Sequence, residues 1–109
     1  LSKMETLLHD YTNSSKIIEQ GLPSVSYFSE QLNVSSNYLS DMLKTLTGLS
    51  TQQHIHNKII DQAKVILTTT NLSVSEVAYQ LGFEHSQSFN KLFKNKTNMT
   101  PLEFRTSFN

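Results

Sequence analysis

The sequence predicts an all-α domain in which two helix-turn-helix units are joined by a long linker helix. A two-helix pattern occurs twice, about fifty residues apart, and no segment alternates apolar and polar residues as a strand does. Three segments also have the form of a helix capping box. Self-similarity at a fixed offset is typical of a duplicated supersecondary unit. We therefore expect about seven helices in a single domain covering residues 1–109.

The N-terminal region, residues 1–20, carries an interrupted helical stripe. Its apolar residues recur at helical spacing over residues 4–18, but a polar run at residues 12–15 breaks the pattern. This predicts one frayed helix or two short ones. The segment at residues 21–24, Gly-Leu-Pro-Ser, then stops the chain and starts the next helix near its serine.

The first helix-turn-helix is expected over residues 23–48, and the second over residues 73–109 with a C-terminal helix. In the first helix of each unit, four residues recur at an offset of 49: Val25 and Val74, Phe28 and Val77, Gln31 and Gln80, Leu32 and Leu81. After a turn that is one residue longer in the second unit, the offset is 50: Leu39 and Phe89, Met42 and Leu92, Leu43 and Phe93, Lys44 and Lys94, Thr47 and Thr97. The second helix of such a unit is the one that enters a major groove of DNA.

The linker helix is expected over residues 50–70. Ser50 and Gln53 form a capping box at its start, and an apolar stripe from Ile55 to Leu67 continues to about Thr69. At 1.5 Å per residue, about 19 residues span ~28 Å, close to the ~34 Å of one duplex turn. That length suits a strut that separates two groove-reading units.

The remaining helix ends also have recognisable signals. Gly48 suits the C-terminus of the first unit's second helix. Capping boxes at residues 73–76 and 100–103 begin two further helices, and Pro101 occupies the favoured first position of the last one.

Composition excludes several classes of protein. The chain has no cysteine, which rules out a disulfide framework and a thiol nucleophile and fits a reducing cytoplasm. No apolar stretch approaches the ~20 residues of a membrane span, and the N-terminus lacks the plan of a signal peptide. Because the chain opens at Leu1, we expect a fragment of a longer protein, from its C-terminal end.

The charge is neutral overall but unevenly distributed. Nine basic residues balance nine acidic ones, whereas a nucleic-acid binder is usually basic. Residues 1–50 hold three basic and five acidic residues, and residues 85–109 hold four basic and one acidic. The positive face therefore belongs to the second unit.

Enzymatic and metal sites are not expected. His54 and His56 are two apart on a helix, so their side chains diverge and cannot chelate one ion as a pair four apart could. No glycine-rich phosphate loop or nucleophile elbow occurs, and Ser24, Ser73 and Thr100 are explained as helix caps. We predict no catalytic residue, no cofactor and no metal.

Three segments carry a family resemblance: LSVSEVAYQLGF at residues 72–83, SFNKLFK at 88–94 and MTPLEFR at 99–105. They resemble the signature of the AraC/XylS family of bacterial transcription regulators, and the likeness extends less specifically to about residue 23. The resemblance implies a homeodomain-like DNA-binding domain whose two recognition helices lie in neighbouring major-groove segments. A sensory or dimerising domain usually precedes it.

In the second unit, the recognition helix is expected over residues 86–96, with Phe89, Leu92 and Phe93 facing inward. Outward Gln and Asn side chains can read adenine, and Lys can reach guanine acceptors. Matched to the family pattern, the base-reading positions are Ser86, Gln87, Ser88 and Lys91. Asn90 is also expected outward, while Lys94 and Lys96 are expected at phosphates.

In the first unit, Leu39, Met42 and Leu43 are expected inward. The candidate DNA-binding residues are Ser36, Asn37, Ser40, Asp41 and Lys44. Asp41 departs from the family pattern, which commonly has a basic or long polar residue there. A carboxylate is repelled by phosphates unless it accepts from a cytosine amine. Two interpretations stay open: Asp41 reads a base or orients Asn37, or this unit is a weak reader.

The predicted function is sequence-specific binding of double-stranded DNA that regulates bacterial transcription, and the resemblance implies an activator in the cytoplasm. The alternative is a protein-interaction module, for RNA polymerase or a sister subunit, with weak DNA contact. Neutral charge and Asp41 favour the alternative, and the repeat, the strut and the family signature favour DNA. Dimerisation or sensing is expected to reside in a missing N-terminal region.

Overall fold

The computed structural model describes residues 2–108, and within them every regular element is a helix. In chain order these are α1 (Ser2–Thr12), α2 (Lys16–Gln20), α3 (Val25–Gln31), α4 (Ser36–Thr47), α5 (Thr51–Thr69), α6 (Val74–Gln80), α7 (Ser86–Thr97) and α8 (Pro101–Thr106). The predicted all-α class is confirmed. Leu1 and Asn109, the ends of the predicted domain, lie outside the described residues.

The described residues hold eight helices rather than about seven because the N-terminal region forms two short ones. The polar run at residues 12–15 ends α1, where the Thr12 hydroxyl donates to the Leu8 carbonyl oxygen at 3.0 Å and the Asn13 amide to that of His9 at 2.8 Å. The Asn13 backbone N–H also donates to the His9 carbonyl oxygen at 3.1 Å, so these side chains add to the backbone hydrogen bonds at the helix end. None of the helices in residues 2–108 is both long and apolar enough to cross a membrane.

The predicted helix ends are confirmed. Reciprocal capping boxes join Ser50 with Gln53, Ser73 with Glu76, and Thr100 with Glu103. Hydrogen bonds from the cap serine and threonine lower the pKa of the Glu76 and Glu103 carboxyls. Gly48 ends α4 in the left-handed conformation with φ of 79°.

The core is organised along α5, which packs against α1, α4, α6, α7 and α8. Four of its apolar side chains are at most 1% exposed: Ile55, Ile59, Ala63 and Leu67. Because α4 belongs to the first helix-turn-helix and α6 and α7 to the second, one helical stripe supports both units. The linker helix α5, which was expected to separate the two units, therefore also contributes to the core that they share.

The two units fold their turns in the same way. Val34 donates its backbone N–H to the Ser29 carbonyl oxygen at 3.0 Å, and Phe83 donates to that of Ala78 at 3.0 Å. The residue before each donor has a positive φ: 57° for Asn33 and 89° for Gly82. The duplicated sequence thus forms duplicated turn geometry.

Gly82 is required because the backbone of residues 17 and 21 lies too close to it for a Cβ atom. The first unit has Asn33 at the equivalent position. A Cβ at Gly82 would lie 2.7 Å from the Ile17 carbonyl oxygen and 2.9 Å from the Gly21 carbonyl carbon. The second turn therefore packs directly against the backbone at the end of α2. This contact ties the N-terminal region to the second helix-turn-helix.

We expect Gly82→Ala to destabilise the domain more than Gly48→Ala. Both glycines have left-handed φ, which costs an L-residue about 1–2 kcal/mol. At Gly48 an added Cβ would have no heavy atom within 4 Å, whereas at Gly82 it would meet two backbone atoms. The close contact should add about 1–3 kcal/mol, which for a domain of this size lowers the melting temperature by roughly 4–8 °C per kcal/mol.

Thermal unfolding followed by circular dichroism on the two variants measures this difference. Equal melting temperatures for Gly82→Ala and Gly48→Ala would show that the α2 contact does not constrain the second turn.

Candidate nucleic-acid interface

The second helix of the second unit, α7, presents a polar face opposite a buried aromatic one. Its span agrees with the predicted residues 86–96 to within one residue. Phe89 and Phe93 are fully buried and Leu92 is half-buried, as predicted. The exposed side chains of α7 are Gln87, Ser88, Lys91, Lys94, Asn95 and Lys96, and all of these except Lys96 share the side opposite Phe89 and Phe93.

A chain of aromatic rings fixes the orientation of α7. Ring centroids are 5.3 Å apart between Phe83 and Phe89, 5.8 Å between Phe89 and Phe93, and 5.4 Å between Phe93 and Phe104. Such tilted and edge-on pairs contribute beyond their buried area. The contacts join the turn, α7 and α8, so the polar face of α7 has a defined direction.

Two predicted outward residues of α7, Ser86 and Asn90, are only half-exposed. The Asn90 Oδ1 atom is buried and has no hydrogen-bond partner. Residues 86, 90 and 93 lie three or four apart, so they share one side of the helix. Because Phe93 is fully buried, this side faces the core. Asn90 is therefore less exposed than the predicted outward position implies, and a direct reading role for its buried oxygen loses support.

The equivalent helix of the first unit, α4, follows the same plan. Leu39 and Leu43 are fully buried and Met42 is half-buried, as predicted. Asn37, Asp41 and Lys44 are exposed. Asp41 makes no hydrogen bond to Asn37 among the side-chain bonds of residues 2–108, so the interpretation in which it orients Asn37 is unsupported.

Two serines of α4 are engaged within the fold. The Ser36 hydroxyl lies 3.1 Å from that of buried Ser29, and the Ser40 hydroxyl lies 3.3 Å from that of Thr51. Both serines are half-buried. Ser40 is less exposed than the predicted outward position implies, because the start of α5 packs beside it. Ser40 is the counterpart of Asn90 at the offset of 50, so the repeat turns this position inward twice.

The outer face of each second helix borders a shallow cleft at the same place. The cleft of the second unit, about 280 Å³, is lined by His56, Phe83, Ser88, Lys91, Leu92 and Asn95. The cleft of the first, about 350 Å³, is lined by Tyr38, Asp41, Met42, Thr45 and Leu46. Five of these lining residues were not among the predicted DNA-binding residues: Tyr38, Thr45, Leu46, Asn95 and His56. Apart from His56, each of these residues aligns at the offset of 50 with an exposed residue of the other helix. The sequence repeat could therefore have identified them.

The two histidines of α5 have separate partners. His54 Nε2 lies 2.8 Å from the Thr47 hydroxyl, and His56 Nε2 lies 2.8 Å from the Gln52 side-chain nitrogen. Since Gln52 donates this bond, His56 accepts it as a neutral imidazole. Burial, with the Lys96 cation nearby, lowers the pKa of His56. Within residues 2–108 no group of three or more metal-ligating side chains comes together.

Comparison with known proteins agrees with this architecture. Residues 7–107 match a family described as a helix-turn-helix domain. The chain is 33% identical over 105 residues to the HTH-type transcriptional activator RhaR of an Enterobacter species, covering 96% of this chain and 35% of RhaR. This chain belongs to the AraC-type helix-turn-helix family. The family consists of DNA-binding regulator domains, not enzymes.

Solved structures of AraC-type domains share the fold. The C-terminal domain of the two-component response regulator yesN from Fusobacterium nucleatum superimposes with a TM-score of 0.75 at 34% identity, over 94% of this chain and 98% of that one. The DNA-binding domain of AdpA in complex with a target DNA superimposes with a TM-score of 0.74 at 22% identity, over 93% and 91% of the two chains. This AraC-type domain spans about a third of the length of RhaR.

The lowered pKa of His56 predicts a pH dependence of stability. Its ordinary pKa is 6.5, so below that value the unfolded chain takes up the proton more readily than the folded domain. Stability should therefore fall as the pH drops from 7.5 to 5.5. His56→Gln, which keeps an acceptor for Gln52, should make this fall shallower, and Lys96→Gln should reduce it partly.

Chemical denaturation at several pH values measures these slopes. Glu76 and Glu103 do not interfere, because their lowered pKa values confine their titration to more acidic conditions. Identical pH slopes for wild type and His56→Gln would contradict the assignment.

Proposed function

We propose that this domain binds specific double-stranded DNA through two tandem helix-turn-helix units in adjacent major-groove segments and thereby regulates bacterial transcription. The observation that carries the proposal is the duplicated unit on one rigid helix. Both units present the outer face of their second helix, α4 and α7, with the apolar residues of that helix directed into a shared core. A helix held in this way can enter a major groove without further rearrangement.

The second unit supplies most of the electrostatic attraction. Exposed Lys91, Lys94 and Lys96 lie along α7, and their cations suit phosphates or guanine acceptors. Exposed Gln87 and Ser88, near the N-terminal end of α7, are placed where base edges are usually read. We assign base reading to Gln87, Ser88 and Lys91, and phosphate binding to Lys94 and Lys96.

The first unit contributes Asn37, Asp41 and Lys44 from the exposed side of α4. Ser36 and Ser86 occupy matching half-buried positions at the helix starts, where a hydroxyl can still contact a phosphate.

The activity of the whole protein is a further part of the proposal. The related RhaR is named a transcriptional activator, and yesN a two-component response regulator. By analogy we propose activation of transcription in the bacterial cytoplasm, with contact to RNA polymerase. Dimerisation or signal sensing would reside in other parts of the parent protein. Two DNA-binding domains held together would offset the weak attraction of a neutral domain.

Substitutions in α7 should separate base reading from phosphate binding. The selected site is the duplex sequence that the domain prefers when random duplexes are offered. Gln87→Ala and Lys91→Ala should each weaken binding to this site by about 1–3 kcal/mol, roughly 5- to 150-fold, and should relax the sequence preference of the domain. Lys94→Ala should weaken selected and random duplexes by the same factor, because a phosphate contact carries no sequence information.

Fluorescence anisotropy with the selected and a scrambled duplex of equal length provides both affinities. If Gln87→Ala weakens both duplexes equally, Gln87 does not read a base.

Salt dependence should identify a phosphate-dominated interface. With about 4–6 phosphate contacts, the logarithm of the affinity should fall with the logarithm of salt concentration with a slope of about −4 to −5. Lys94→Ala should make this slope shallower by about 1. A flat salt dependence in wild type would favour a protein-interaction module over DNA binding.

A further inference from the structure

The outer faces of α4 and α7 carry opposite chemistry at equivalent positions. At the offset of 50, Tyr38 of α4 corresponds to Ser88 of α7, Asp41 to Lys91, and Leu46 to Lys96. All six side chains are exposed. The same cleft is therefore basic and polar in the second unit but acidic and apolar in the first.

From this difference we propose that Asp41 selects a cytosine and that Tyr38 contacts the methyl group of an adjacent thymine. The inference rests on the proposed function, since it assigns the bases that the first unit would read. Where Lys91 takes a guanine in the half-site of the second unit, Asp41 takes a cytosine at the equivalent position in the half-site of the first. The two half-sites of the operator are consequently unlike, although the two units share one fold.

The chemistry of a carboxylate restricts Asp41 to one base. In the major groove, guanine and thymine present acceptors to the protein, which repel an anion. Adenine presents an amine donor, but its N7 acceptor lies beside it. Cytosine presents its N4 amine between its own C5–H and the paired guanine O6, so a carboxylate there meets one neighbouring acceptor, whereas the adenine amine lies between two. A carboxylate that reaches the base edges therefore favours cytosine.

The position of Asp41 allows it to reach a base edge. It lies at the same place on α4 as Lys91 on α7, one turn beyond the first exposed residues of the helix. The Asp41 side chain is exposed and shares its cleft with Tyr38 and Met42. The residues that line this cleft include no cation, and Lys44, the exposed cation one turn further along α4, lies outside the lining.

Tyr38 supplies the apolar neighbour. It lies three residues before Asp41, on the same side of α4, and is 58% exposed. An aromatic ring exposed to this extent offers an apolar surface of the kind that contacts the thymine methyl group. A thymine beside the cytosine would bury the ring edge that water covers in the free domain.

At the position of Leu46, the first unit lacks a cation that the second unit has. Leu46 is 63% exposed, and its counterpart Lys96 is one of the phosphate-binding cations of the second unit. With no cation at this position, the first unit draws less attraction from the DNA backbone. Base contacts then decide where the first unit binds, and the second unit provides the anchor.

Selection of random duplexes of about 30 base pairs by wild type, Asp41→Asn and Asp41→Lys tests the proposal. Wild type should enrich cytosine at one position in the first half-site by roughly tenfold or more over other bases. Asp41→Asn should shift that position to adenine, because an amide pairs with the adenine N6 and N7 atoms, and Asp41→Lys should shift it to guanine. The second half-site should be the same for all three proteins.

Tyr38→Ser, which copies the residue of the second unit, should remove the preference for thymine next to the cytosine. Lys44→Ala is the matched control on the same helix: it should lower affinity for all sequences without changing any preferred base. Because all of these side chains are exposed, circular dichroism melting should show unchanged folding.

The outcomes distinguish this inference from the proposed function. A second half-site beside a random first half-site would overturn the inference and leave DNA binding intact. A uniform gain in affinity for Asp41→Lys, with no change of base, would also overturn it, since Asp41 would then only repel phosphates. Absence of any enriched motif in wild type would overturn the proposed function itself, and retention of protein partners in that case would indicate an interaction module.

Discussion

The buried stripe of α5 is the constraint on which the rest of the structure depends. Ile55, Ile59, Ala63 and Leu67 contribute to a single hydrophobic core that reaches residues of both helix-turn-helix units. A chain of 109 residues cannot bury enough apolar surface for two independent cores, so each unit is stabilised through the other's support. Because interiors pack densely, the relative orientation of α4 and α7 follows from this shared stripe.

The two units are most alike where a side chain satisfies backbone hydrogen-bonding groups at the end of a helix. Thr47 and Thr97 each donate a hydrogen bond to the carbonyl oxygen four residues earlier, at 2.7 and 2.8 Å, and each accepts from the amide two residues later. The turns also repeat, but the second one contacts α2 and needs Gly82, where the first has Asn33. The copies differ at that point because only one of them borders the N-terminal region.

Neutral net charge is compatible with a DNA-binding role because the charges are separated in space. Exposed Lys91 and Lys94 share one face of α7, with Lys96 at its C-terminal end, whereas the outer face of α4 combines Asp41 with exposed Tyr38 and Leu46. Screening confines the influence of an exposed charge to about 10 Å at ordinary salt concentration. Under the proposed function, each helix acts on DNA through its own local charge, so a domain with balanced totals can have one anchoring unit and one discriminating unit.

The sequence by itself determined the class, the helix ends and the inward residues of both recognition helices, because capping boxes and helical periodicity are local. It also identified the family, through motifs within residues 72–105. The tertiary structure decided the features that depend on contacts between distant parts of the chain. Ser40 and Asn90 are polar and were expected outward, yet α5 beside Ser40 and the side shared with Phe93 turn them inward. The contact of Gly82 with Ile17 joins residues 65 positions apart, and only the folded chain brings them together.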